Sequence, residues 1–514
     1  MSSWHEARPG LRLPDLSSSS VVVLAFLLVG VAAGYLIANQ SLVPMVLLLG
    51  AIVGVALLNA LPSVVWIVLA GALLISGPIM LFLPDLDRIS WLFSLLGFFL
   101  ATAALLYAAI GRERFARSAP GFVMLAVGFL IIGMTSLLYT DGPLDEGVRA
   151  LKRYYQFTGL LLILAVVPFA PLRVERWWRF VMIIAMLQLP LALYQRVFLV
   201  PIREGMSGVI AIDIVAGTME ASMNGGGNAG TMVLLLVTAL AFFIAAARDG
   251  VISKSRLVLG VLATAIPIGL GEVTLSIVLL PLALLASFAD VIRRKPGRFM
   301  LVLVLALPLL ALLAWAYLML YSSDGQSLDQ KIAQILEYNV GSQGYFGTGL
   351  NRLTVYTYWW SLHSLATDPV AMLFGHGLGS AFGPVGVVET GHMHQEHRGM
   401  YIGLTAASTV LWDLGVVGLL TLLAMHASAA AWAYRLARDA RPGFDRVLCR
   451  TLFVLSVLLP LMLLYSDTAV SAPSQEVLSA LCLGLIAWRA RSGRGTVDRG
   501  TDRTASGAAF AGRA

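Results

Sequence analysis

Cysteine is almost missing from this chain of 514 residues: Cys449 opens one apolar run and Cys482 lies inside another. Two isolated thiols give neither a disulfide framework nor a thiolate ligand cluster. Charge is scarce as well, at 12% Asp, Glu, Lys and Arg against 59% hydrophobic residues, where a soluble domain carries about 25% charged. So apolar a chain has too little polar surface to cover a water-soluble globule. A soluble enzyme, a nucleic-acid-binding module and a disulfide-stapled secreted domain are thereby excluded. Lysine occurs only at Lys152, Lys254, Lys295 and Lys331, and every other basic residue is arginine. A compositional bias accounts for that, so an arginine by itself says little about anion chemistry here. The net charge of +7 is no nucleic-acid signal either, because it sits in short loops between apolar runs, where membrane topology explains it.

What the chain has in plenty is long apolar runs. A spanning helix needs about 20 largely apolar residues. Fourteen runs fit: 20–37, 42–58, 62–83, 91–110, 120–138, 154–171, 180–199, 229–247, 255–271, 274–290, 299–321, 400–428, 450–466 and 475–490. Lipid offers no partner for backbone N–H and C=O groups, so each is read as a helix. The expected fold is all-α: a polytopic integral membrane protein of about 14 transmembrane helices, with one large late outer loop. Residues 1–19 are expected as a cytoplasmic tail and 20–490 as the membrane domain. The first run, which lacks a clear cleavage site and is followed at once by a second, reads as an uncleaved signal-anchor.

The arginines set the orientation. With the N-terminus inside, 26 of the 35 Lys and Arg residues fall on the inner side and 9 outside, as the positive-inside bias requires. Both termini are then cytoplasmic. Residues 491–514 are polar, Gly-rich and without apolar period, the composition of a disordered basic tail.

The outer stretch 322–399 is too long for a plain connection. Its segments KIAQILEYNV and RLTVYTYWWSLHSLATDP read as short amphipathic helices at the membrane surface, their Tyr and Trp in the interfacial zone. Five of the seven histidines fall here: His363, His376, His392, His394 and His397. The run HMHQEHR joins His394 and His397 to Glu396 and Arg398 directly before an apolar run. An imidazole or a carboxylate there could take a proton from an attacking hydroxyl. Loops also collect polar residues simply because lipid excludes them. Three His and a Glu could ligate zinc, but the spacing matches no known zinc pattern, and no metal or other cofactor is expected. Upstream, Arg196 closes the seventh run and Arg203 follows it, ahead of Asn224-Gly225-Gly226-Gly227-Asn228 at the start of the next helix. A helix N-terminus with glycines suits an anion. Glu272 is a carboxylate at the membrane edge, costly unless partnered.

Together these segments resemble the O-antigen polymerase and O-antigen ligase superfamily, bacterial membrane glycosyltransferases of the GT-C class. The match rests on Arg352, Trp359 and Trp360, Asp368-Pro369, the turn Gly375 to Gly379, the histidine cluster and Gly415 to Gly418, within residues 180–466. It departs from the family in that His397 stands about two helical turns further from those last glycines, and in that Gly271-Glu272-Val273 carries an acid where the family has a Ser-Arg pair.

The resemblance implies a polymerase at the periplasmic face of the bacterial inner membrane. It would pass a glycan from a polyprenyl-diphosphate-linked oligosaccharide to the hydroxyl of another lipid-linked repeat unit. Partners would be the lipid bilayer and the flippase and chain-length regulator of the same pathway, with no nucleic acid. Arg203 and Arg352 are then expected on the diphosphate, with Arg196, Arg398 and Glu272 in support, and His397, His394 or Glu396 as base. Two other functions fit the residues: a ligase that moves finished polymer onto lipid A-core, and a polysaccharide flippase or secondary transporter.

Overall fold

A computed structural model describes residues 54–110, 119–139, 142–206, 210–297, 350–383 and 390–510, with single positions between 300 and 341, and side chains only as far as 492. The runs 20–37 and 299–321, and most of 42–58, lie outside the described residues, as does most of 322–349. The chain divides at residue 61, and apart from Leu61, the first residue of α1, the helices and cavities described below belong to the second unit, 62–514.

The described residues are helical and contain no strand beyond one isolated bridge, Ala221 to Gly227. Six helices are long and apolar enough to cross a membrane. They are α1 (Leu61–Phe82), α2 (Ser90–Ile110, extended by a 3-10 turn from Pro84), α6 (Pro171–Glu204), α7 (Ala229–Arg248), α13 (Ala406–Asp439) and α14 (Phe444–Tyr465). Between them come α3 (Gly121–Ser136), α4 (Leu144–Tyr155), α5 (Thr158–Val166), α8 (Lys254–Leu270) and α9 (Ser276–Ser287). The outer segment supplies α10 (Thr354–Leu362), α11 (Pro369–Phe374) and α12 (His392–Glu396), and α15 (Pro473–Phe510) closes the chain.

Some runs are subdivided. Within the run 154–171 the helix α5 holds only nine residues, every one buried except its first, and nine residues rise only about 14 Å. Before it, α4 is amphipathic, with Asp145 and Glu146 in its first turn and Lys152 and Arg153 in its last. Each end thereby complements the helix dipole. Apolar period alone hid α4, because its two terminal tyrosines merge with the apolar run behind them.

The helices share two ends. At one, Arg248 chelates Asp290 (3.0 Å to each oxygen), Arg450 reaches Asp249 (2.8 Å) and Asp290 (3.1 Å), and Arg489 holds Asp445 (2.6 and 2.8 Å). Arg248 stands just past the predicted run 229–247, Arg450 opens the run 450–466 and Arg489 closes the run 475–490. From that end α7 runs its 20 residues, about 30 Å, to Ala229, and α8 and α14 reach the same far level at Gly271 and Tyr465. The helix α13 packs against α14 and α3, α7 against α8 and α14, and α15 against α5.

α13 is broken near its start. Gly415 has φ 64° and ψ −165°, a region open only to glycine. The break strands helical carbonyls, and two find donors: Trp412 O accepts from His376 N (2.8 Å) and Asp413 O from Gly377 N (3.1 Å). Gly375, φ 76°, meets the same place from the other side, where a Cβ would come within 2.5 Å of the Asp413 and Leu414 backbone. Two glycines thus let α11 and α13 touch backbone to backbone, where sequence pattern suggests only small-residue helix packing.

Candidate functional site

A cavity of about 450 Å³ lies at the end of the helices opposite the ion-pair network. The N-terminus of α7 and the glycines before it form one wall. Asn228 N bonds Glu220 O (2.8 Å), drawing 220–228 into a tight loop, and a Cβ on Gly227 would overlap the Asp213 carbonyl. Asp213, Glu272, Arg352, Tyr465 and Thr468 complete the lining that matters chemically.

Arg352 and Glu272 are each fixed by partners. Arg352 gives Nε to Tyr465 O (2.7 Å) and Nη1 to Asn339 Oδ1 (2.6 Å), and lies 4.3 Å above the Tyr465 ring. Glu272 forms the α8–α9 turn with φ 49°, the one left-handed non-glycine among the described residues, and strain of that kind gathers at functional positions. Its carboxylate pairs with Arg196 at 2.8 Å, where α6 widens into a π-turn over Gln195–Leu199. Arg203, further along α6, is 1% exposed. Its Nη2 donates to Gly225 O (2.7 Å), while Nε and Nη1 have no hydrogen-bond partner among the described residues. Burial raises the carboxyl pKa of Asp213, and the charge of Arg203 opposes that rise.

Three of the histidines assemble elsewhere, around Trp412. His363 stacks on Trp359 (centroids 4.6 Å apart, 14° between planes), and its Nε2 is 2.8 Å from His376 Nε2. His363 Nδ1 faces the Trp359 carbonyl at 2.9 Å, which can only accept. In a neutral ring Nε2 is therefore the acceptor, and His376 Nε2 must donate. Burial, then the neighbouring His363 and His392, press His376 down to about 4. Asp413, fully buried, accepts from Gly379 N, Ala381 N, Ser380 Oγ and Tyr154 Oη at 2.8 to 2.9 Å. It fixes the Gly375–Gly379 turn.

The predicted residues thus divide. Arg352 and Glu272 line the cavity, Arg196 joins through Glu272, and Arg203 sits behind Gly225. His397, His394, Glu396 and Arg398 are not among the cavity-lining residues. His397 Nδ1 bonds Tyr358 Oη (2.9 Å) with its ring 5.0 Å from Trp412, and burial lowers its pKa. His394 is lowered by the same cause, and its Nδ1 is buried with no partner among the described residues. Glu396 and Arg398 are exposed. His392, by contrast, is tied to α4, its N and Nδ1 bonding the Glu146 carboxylate at 2.9 and 2.8 Å. The two groups of residues meet along one segment, since Arg352 and Tyr358 are six residues apart, and Ala406 N bonds Ser466 O of the cavity wall at 3.0 Å.

Asp213 is the residue that sequence reasoning passed over. A lone acid inside VIAIDIVAG, between Arg203 and the glycines, was the signal. Compared with known families and curated proteins, the chain matches no family model and no curated sequence.

Proposed function

We propose that this chain is a membrane glycosyltransferase of the O-antigen polymerase and ligase type, working at the 450 Å³ cavity. The observation that carries the reading is Arg203: a buried guanidinium with two nitrogens lacking partners among the described residues, held by Gly225 beside a glycine-walled helix N-terminus. Buried N–H groups left without acceptors are expensive, even with the Asp213 charge nearby, and an anion with several oxygens is the partner that such a fork fits. Arg352 adds a second guanidinium on the far wall.

The donor is a glycan on a polyprenyl diphosphate. The acceptor hydroxyl oxygen bonds to the anomeric carbon as the bond from that carbon to the phosphate oxygen breaks. The bond electrons leave with the diphosphate, whose charge Arg203, Arg352 and the α7 N–H groups stabilise. The proton passes to Asp213, the carboxylate in the cavity whose pKa burial raises. Glu272 stays paired to Arg196 and shapes the wall. The arginine-paired end faces the cytoplasm, and the cavity opens on the periplasmic side of the bacterial inner membrane.

The test uses purified protein in lipid nanodiscs with a polyprenyl-diphosphate oligosaccharide. Elongated lipid-linked glycan with release of polyprenyl diphosphate is expected. Consumption of donor only when lipid A-core is added would make the chain a ligase. Donor that crosses the bilayer unchanged, or is not consumed at all, would overturn the proposal.

A further inference from the structure

A second, smaller cavity of about 80 Å³ lies between α3, α5, α13, α14 and α15. Leu422, Met425 and Leu459 give it an apolar wall, and His426, Gln475 and Glu476 face it as well. All three polar residues are buried. His426 Nδ1 and Gln475 Nε2 are both without a hydrogen-bond partner among the described residues. A buried polar group left without a partner is costly. Two on one small cavity point to a shared partner inside it.

The chemistry names that partner. Gln475 Oε1 accepts from Thr231 Oγ1 (2.9 Å) and Thr468 Oγ1 (2.5 Å), which fixes the amide so that its NH2 must donate inward. A metal cation is repelled by that NH2. An anion finds no Lys or Arg among the lining residues to pair with, and Glu476 Oε1 already accepts from Gln156 Nε2 at 2.8 Å. Water both donates and accepts, and one molecule needs only about 10–15 Å³ of such space.

We infer that this cavity is a hydrated site inside the bundle, its water bonded to His426, Gln475 and Glu476. Thr231 and Thr468 line the outer cavity, so Gln475 joins the two. The inner water extends the polar surface of the outer cavity toward the middle of the helices, where His426 and Glu476 can hold a proton. Hydration of this cavity does not depend on the glycosyltransferase activity.

Radiolytic hydroxyl-radical footprinting of the full chain in nanodiscs tests it, because bound water generates radicals beside the groups it touches. Met425 lines the cavity, and Met182, equally buried on α6, does not. Met425 and His426 are expected to oxidise several-fold faster than Met182. Filling the cavity with A480L, or with the milder A126V should A480L fail to fold, should bring Met425 down to the Met182 rate. Equal rates in the wild type, or a Met425 rate unmoved by a folded filled variant, would overturn the inference.

Discussion

In the proposed reaction single residues carry the chemistry, and Arg203 carries most. A lysine keeps its charge but not its fork. R203K should therefore fold and lose about 100-fold in glycan transfer, the order that removal of one stabilising donor costs, as measured by donor consumption. D213N, which removes the proton acceptor, should lower turnover by about 10²–10⁴-fold with little change in donor binding. His376 makes a prediction about stability. Its folded pKa of about 4 lies below its ordinary 6.5, so between those values the unfolded chain binds more protons than the folded one. Stability must rise with pH across that window and fall as pH drops through it. Thermal unfolding of the purified protein should show the slope, and H376Q should flatten it. Much at this scale was legible: Arg203, Arg352 and Glu272 stand out as polar groups that a membrane does not tolerate without cause. Asp213 did not stand out, because one acid among isoleucines looks like any loop residue until the glycine loop folds against it.

Elements obey a different logic. The long helices are written in apolar run length, and their positions follow from it. What length cannot write is interruption. The break at Gly415, the strained turn at Glu272 and the π-turn at Gln195 all depend on partners distant in the chain. Gly415 shows the cost of undoing one. A side chain there must adopt a glycine-only backbone, at about 1–3 kcal/mol, and would overlap the Leu373 and Phe374 backbone. G415A should lower the unfolding temperature of the purified protein markedly, whereas an alanine at Gly269, where a Cβ meets nothing, should leave it unchanged. The histidines obey the same rule. In sequence HMHQEHR is one cluster, but short helix geometry sends His392 to Glu146 and His397 to Tyr358, and neighbours in sequence become members of different networks.

At the scale of the whole helical unit, the described ion-pair network and the cavity stand at opposite ends of α7. Arg248 and Arg450, which sequence assigns to the inner side, and Arg489, at the end of the last predicted span, form the Asp249, Asp290 and Asp445 network, and the cavity lies about 30 Å away along α7. Cys449 and Cys482 are buried, so the chain offers a silent background for topology labelling. In intact cells a membrane-impermeant maleimide should label N224C, at the cavity end, and should reach V251C, at the arginine end, only after lysis. The reverse pattern would invert the orientation. At this scale the sequence speaks through composition and arginine count, because membrane partition and the positive-inside bias act on sums and not on contacts, and the labelling pattern is what tests the orientation.

Glycan transfer of this kind requires diphosphate to enter the cavity walled by α7 and Arg352, and photocross-linking reads that entry directly. A polyprenyl diphosphate bearing a photoreactive group beside its phosphates would be irradiated with the protein in nanodiscs, and the modified peptides mapped by mass spectrometry. Adducts within 210–231 and 465–468, lost in R203K, are the predicted result. Adducts confined to the His394–His397 segment, or adducts that R203K leaves unchanged, would contradict it.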